Sequence, residues 1–209
     1  MSQTVSIHYR FKVIGMFLLF FTVGYGFTNR FPVFTPVVLP STTLDDILGF
    51  HPWTAWIYMS DYLLIFLPVI LVTRIPVMKR IVKGFLLDFM IHFPIFFFFP
   101  TTVSRVPLPE DGFTNQIFGF VRWIDQPINC FPSQHVSLCF VVAMSFWHYR
   151  KNISLLFFVW AILISISTMT TKQHVFADVV GGIGVALIVW FFVFRKKYPH
   201  DAVLVAPTQ

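Results

Sequence analysis

The sequence predicts an all-α, polytopic membrane protein in which six transmembrane helices form a helical bundle. Three observations carry that prediction. Hydrophobic residues make up 56% of the 209 positions and charged residues only 11%, with 28 phenylalanines, too little polar surface for a water-soluble globule of this size. Apolar runs recur at close to the ~20 residues that a helix needs to cross the hydrocarbon. Finally, the cations gather in alternate connections between those runs, as in a chain that threads a bilayer back and forth.

Taken in order, the first span runs from about Val13 to Phe27 behind a basic approach, Arg10 and Lys12. No small-x-small cleavage site follows Gly24-Tyr25-Gly26-Phe27, so it is read as a retained helix and not as a secretory signal. Residues 28–52, with prolines at 32, 36, 40 and 52 and the acidic pair Asp45-Asp46, read as a loop over the bilayer surface. The second and third spans cover about Trp53 to Val72 and Ile81 to Phe99. The connection from Pro100 to Pro132 mixes Pro107, Pro109, Gly112 and Pro127 with Phe113, Phe118, Phe120 and Trp123, a composition suited to an interfacial cap.

The fourth span, His135 to Tyr149, is short: at about 1.5 Å per residue it covers about 22 Å against roughly 30 Å of hydrocarbon. With its basic end anchored by Arg150-Lys151, His135 is expected in a recess at or just below the opposite headgroup plane. Ile153 to Met169 and Val175 to Phe194 complete the set, followed by a short tail at 195–209. Residues 1–209 thus read as one membrane domain, its core about 53–194, with no soluble domain and no internal repeat.

A net charge of +6 could signal nucleic acid, but the distribution of the 15 cations points elsewhere. Positions 10, 12, 74, 79, 80, 83, 150, 151, 195, 196 and 197 share one side, which the positive-inside rule assigns to the cytoplasm together with both termini. Arg30, Arg105, Arg122 and Lys172 fall on the far side, periplasmic, extracellular or luminal. No nucleic-acid partner is expected. Cys130 and Cys139 read as unpaired structural residues.

Two polar islands interrupt the apolar chain, Pro132-Ser133-Gln134-His135 and Lys172 to Asp178, and ionisable groups at a membrane boundary are costly unless they have a task. Ser133 reads as an N-cap. The free N–H groups of Gln134 and His135 then suit an anion such as phosphate, although a cap that merely closes the helix is an equal alternative. His174 and Asp178, four apart, lie on one face if the last helix starts near Gln173, so the carboxylate can orient one ring nitrogen and leave the other as nucleophile or base. A His–Asp pair that only glues two helices is the competing reading. Ala177, Gly181, Gly182 and Ala186 let a neighbouring helix approach closely, which can bring His135 against His174. Arg105 and Lys172 suit phosphate oxygens; Arg122 and Arg30 read at least equally well as interfacial anchors. Asp61, Asp88 and His92 read as interhelical hydrogen-bonding groups and keep open a non-enzymatic transporter or scaffold.

Pro132-Ser133-Gln134-His135 resembles the Pro-Ser-Gly-His motif of the type-2 phosphatidic acid phosphatase superfamily, and His174-x-x-x-Asp178 resembles its third motif. Phe99-Pro100-Thr101-Thr102-Val103-Ser104-Arg105 is similar to the segment carrying the first-motif arginine. Ser167-Thr168-Met169, the His174 to Asp178 segment and the glycines after it look most like the inositol phosphorylceramide synthase branch. The chain departs from the family pattern at Phe98 (usually Lys), Val106 (Pro), Thr168 (Arg) and Gln134 (Gly).

The resemblance implies a helical catalytic core and metal-free chemistry without a cofactor, acting on a phospholipid or other lipid phosphate. His174 would attack phosphorus, Asp178 would stabilise its imidazolium, and His135 would protonate the leaving oxygen. Arg105, Lys172, Ser133 and the Gln134 backbone would hold the phosphate, with Lys172 replacing the charge missing at Thr168. A lipid phosphatase is the expected activity; a phosphotransferase moving a phospho-headgroup to a lipid or polyol is the alternative. His135, His174 and Asp178 as zinc ligands form a further, competing reading.

Overall fold

The computed structural model of the chain describes residues 4–109 and 111–198, so most of the expected tail lies outside the described residues. Eight helices and one two-stranded pairing make up the described chain: α1 Ile7–Arg30, β1 Val37–Val38, α2 Thr43–Leu48, α3 Pro52–Leu71, α4 Ile75–Phe98, β2 Thr101–Thr102, α5 Phe113–Ile124, α6 Gln134–Phe146, α7 Lys151–Thr170 and α8 Phe176–Phe194. The protein is all-α, and α1, α3, α4, α7 and α8 are long and apolar enough to cross a membrane.

The expected fourth span, α6, falls short of that length. Its 13 residues rise about 20 Å, and every one of them, Gln134 through Phe146, is buried. The reason is its position. α6 packs against α3, α4, α7 and α8 at once, so its ends meet protein and its length need not match a bilayer. Lipid is as apolar as these side chains, so close packing holds this bundle together more than removal from water does.

That packing is closest where α8 meets the start of α6. A Cβ added at Gly182 would stand 2.4 Å from the Ser133 carbonyl oxygen, and one at Gly181 would stand 2.6 Å from the Phe131 ring. These are the small residues that the sequence marked for close approach. Where they meet, the Ser133 N–H donates to the Asp178 carbonyl at 3.0 Å, which fastens the first turns of the two helices together.

The two ends of the bundle differ. At one, Arg10 donates to the carbonyls of Val69 and Ile70, Arg80 donates to the Lys196 carbonyl at 2.7 Å, and Tyr198 donates to the Ser145 carbonyl at 3.2 Å; the cation clusters of the sequence meet here. The other end is roofed by the two long connections. β1 and β2 pair in parallel, Val37 with Thr101 and Val38 with Thr102. The sequence predicted neither short helix of these connections. α2 opens with a capping box formed by Thr42 and Asp45, and the Asp45 carboxylate reaches across to accept from the Phe176 N–H at 2.8 Å, at the start of α8. α5 is amphipathic: Phe118 is buried, while Phe113, Phe120 and Trp123 face outward.

Candidate active site

The first turn of α6 is set by Ser133, whose Oγ accepts from the Val136 N–H at 3.4 Å. This turn carries His135 and leaves the early N–H groups of the helix without intrahelical partners. The other histidine precedes α8. The sequence placed that span from about Val175, and the helix begins at Phe176; His174 lies outside it, not on its face as a start near Gln173 would have put it, because the Gln173 and His174 N–H groups both turn back to the Thr168 carbonyl, at 3.0 and 3.1 Å. Asp178 still reaches back. Its Oδ2 accepts from the Val175 N–H at 2.9 Å and lies 3.2 Å from His174 Nδ1, so the helix cap itself fixes the carboxylate that orients the ring.

The two imidazoles meet. His174 Nε2 lies 3.4 Å from His135 Nδ1, with ring centroids 5.6 Å apart. His135 is 9% exposed, His174 6% and Asp178 fully buried. With the rings in direct contact, a phosphoryl group between them requires them to part.

Arg105 closes one side. Its Nη2 donates to Gln173 Oε1 at 2.6 Å and to the Asp125 carbonyl at 2.7 Å, and its Nη1 donates to the Arg122 carbonyl at 3.0 Å. Arg122, which the sequence offered mainly as an anchor, turns inward from α5 to donate to the Val106 and Thr171 carbonyls. Burial, and then the nearby Arg105 guanidinium, lower its pKa to about 10, so it remains a cation at neutral pH. Arg105 Nε, Arg122 Nε and Gln173 Nε2 are buried donors without a protein partner. Such donors are costly to bury, and phosphate oxygens would satisfy them. Lys172 is directed elsewhere, its ammonium donating to the Asp45 carbonyl. The Gln134 side chain also turns away from the histidines, its Nε2 lying 3.4 Å from Asp88 Oδ2.

The buried charges of the spans divide into two groups. Asp88 joins α4 to α6 by accepting from Ser137 and Gln134, and it holds His92 Nδ1 at 3.1 Å, the interhelical bonding that the sequence suggested. Asp61 belongs to the site, with Oδ2 3.8 Å from His135 Nε2. Sequence reasoning missed Tyr58, whose hydroxyl lies 3.2 Å from the same nitrogen, and Asp125, which accepts from Tyr58 at 3.3 Å and from Tyr25 at 2.5 Å. A signal for Asp125 existed, since it is the one acidic residue between Asp111 and Asp178. Nothing in the local sequence marks Tyr58.

Two cavities reach His135. One, of about 90 Å³, is walled by Phe17, Phe21, Ile65, Phe66 and Leu138 and ends at Asp61, Gln134 and His135; the other, of about 250 Å³, is bordered by Asn29, Arg30, Tyr62, Asp125 and His135. Cys130 and Cys139 are free and buried. Burial, reinforced by the Asp178 and Asp125 carboxylates, pushes the Cys130 thiol up, so it remains protonated beside the site. Among the described residues, no group of three or more His, Cys, Asp or Glu side chains is arranged to hold a metal ion.

No curated protein and no solved structure matches the chain. A family model does, over residues 33–192, the stretch from just before β1 to near the end of α8. The match does not single out the inositol phosphorylceramide synthase-like branch. It covers every residue of the histidine pair and its arginines and supports a phosphatase- or phosphotransferase-type enzyme of the membrane: the chain belongs to the PAP2 superfamily.

Proposed function

We propose that the protein is an integral-membrane lipid phosphatase that hydrolyses a phosphorylated lipid through a phosphohistidine intermediate, without a metal. One observation carries this reading: a carboxylate-oriented histidine, with His174 Nδ1 3.2 Å from Asp178, presents its other nitrogen to a second histidine 3.4 Å away. His174 Nε2 attacks phosphorus. An N–P bond forms, the P–O bond to the lipid breaks, and the leaving oxygen takes a proton from His135 Nδ1. In the second step water gives its proton to His135 and its oxygen to phosphorus, releasing phosphate and neutral His174. Asp178 stabilises the imidazolium that His174 becomes.

Phosphate oxygens are held by Arg105, by the Ser133–Gln134 turn at the start of α6, and by Arg122 and Gln173, whose buried donors otherwise lack partners. Lys172 acts one step removed, fastening the turn before His174 to Asp45 of α2. The whole chain serves as one membrane domain with both termini cytoplasmic, and the site works on the opposite side, where the eleven clustered cations are not.

A second reading, transfer to a lipid alcohol or polyol, is favoured by one feature: the apolar cavity between α1 and α3 ends at His135, the group that would receive the acceptor's proton. Purified protein supplied with a labelled lipid phosphate and candidate alcohols distinguishes the two, since inorganic phosphate marks hydrolysis and a new phosphate ester of the added alcohol marks transfer. Both readings require that His174→Ala abolish turnover and that excess chelator spare it. Turnover by His174→Ala, or loss in chelator with recovery on adding zinc, overturns the mechanism.

A further inference from the structure

His135 is held from both sides, and the hydrogen-bond chain through it fixes where the protons lie. At one end Asp178, a carboxylate, only accepts, so His174 Nδ1 carries a proton. At the other end the Asp125 carboxylate only accepts, so Tyr58 donates to it. The Tyr58 oxygen then accepts from His135, whose Nε2 must carry a proton. Asp61 Oδ2, 3.8 Å from that nitrogen and without another partner, favours the same arrangement. One further proton between His174 Nε2 and His135 Nδ1, 3.4 Å apart, would give the four ring nitrogens three protons and one positive charge.

This is the protonation state that the proposed first step needs. With the shared proton on His135, His174 keeps a lone pair at Nε2 and His135 is an acid at Nδ1. After donating, His135 retains its Nε2 proton and leaves Nδ1 free to accept from water. Without a partner at Nε2, neutral His135 can carry its single proton on either nitrogen, and one of those tautomers cannot act as base.

We propose that Tyr58 and Asp125 are positioning residues for His135: they hold its Nε2 proton so that Nδ1 serves as acid in the first step and base in the second. This arm mirrors Asp178 on His174, but it comes from α3 and from the loop after α5, and the Asp125 carbonyl also accepts from Arg105. The groups facing His135 are His174, Tyr58 and Asp61, with Asp125 behind Tyr58. The proposal rests on the phosphohistidine reading.

The test compares two leaving groups on full-length protein in detergent. A dioctanoylglycerol phosphate departs as a strongly basic alkoxide that needs an acid; p-nitrophenyl phosphate departs as a weakly basic phenolate that hardly does. Tyr58→Phe and Asp125→Asn are each expected to lower kcat/KM, which reports the steps through departure of the leaving group and not the hydrolysis common to both substrates, on the first by about 10–100-fold, as loss of a supporting partner commonly does, and on the second by far less. Thermal melting identifies which variant is folded, and either one suffices. Equal losses on both substrates, or no loss on the alkyl phosphate, overturn the proposal. His174→Ala separates it from the parent reading: that variant should lose both substrates alike, and if it retains them the nucleophile assignment fails whatever the Tyr58 variants do.

Discussion

Gly182→Ala tests whether the contact between α8 and α6 builds the site. The new Cβ would stand 2.4 Å from the Ser133 carbonyl oxygen and 3.1 Å from Val136 Cβ, whereas ordinary contact begins at 3.4 Å. The nearest obstacle is backbone, which cannot rotate away, so the two first turns must part by about the difference, 3.4 less 2.4, or about 1 Å. Ser133 precedes His135 by two residues, and the Ser133 N–H bond to Asp178 crosses the same gap. A displacement of about 1 Å between reacting groups can cost about 100-fold in rate, and overpacking commonly costs about 1–3 kcal/mol of stability. Lipid phosphate turnover and thermal unfolding in detergent should both fall for Gly182→Ala. Gly184→Ala is the control: a Cβ there meets nothing within 4 Å, and replacing a helical glycine by alanine should leave stability equal or raise it by up to about 1 kcal/mol. Wild-type turnover and melting in Gly182→Ala, or equal damage in Gly184→Ala, would refute the reasoning.

Two further substitutions probe the polar groups around the pair. Arg105→Lys keeps the charge but cannot span Gln173, the Asp125 carbonyl and the Arg122 carbonyl; kcat/KM for a lipid phosphate should drop by about 100-fold, as when one anion-holding donor is lost, and an unchanged value would remove Arg105 from the site. Asp88→Ala leaves Ser137 and Gln134 without their shared acceptor, while His92 Nδ1 keeps the Asp88 carbonyl at 2.9 Å. At about 0.6 kcal/mol per hydrogen bond within a membrane, the two together predict a loss of about 1 kcal/mol, read as a lowered unfolding midpoint, while an unshifted midpoint would show that the cluster contributes nothing.

The chemistry of the site was most legible where it is local. Ser133 reads as a cap because a short polar side chain precedes an apolar run, and His174 with Asp178 reads as a pair because four positions separate them. Close approach at Gly181 and Gly182 was legible for the same reason, since small side chains on one helix face have a purpose only if something comes near. Arg122 was ambiguous. An arginine beside Trp123 in an aromatic loop fits a membrane anchor equally well, and only the fold of α5 turns it inward.

What the amino-acid order indicated by itself was the environment and the candidate reacting groups. Composition alone forces the helices into lipid, and motif spacing selects two imidazoles and a carboxylate. Tertiary structure decided the rest. It made α6 a buried core helix in place of an outer span, sent Lys172 to Asp45, and brought Tyr58 and Asp125 from distant segments to the far nitrogen of His135. Hydrophobicity and capping act over a few residues and leave a trace in sequence, whereas a proton's position depends on partners 67 and 77 residues apart, which only packing brings within hydrogen-bond reach.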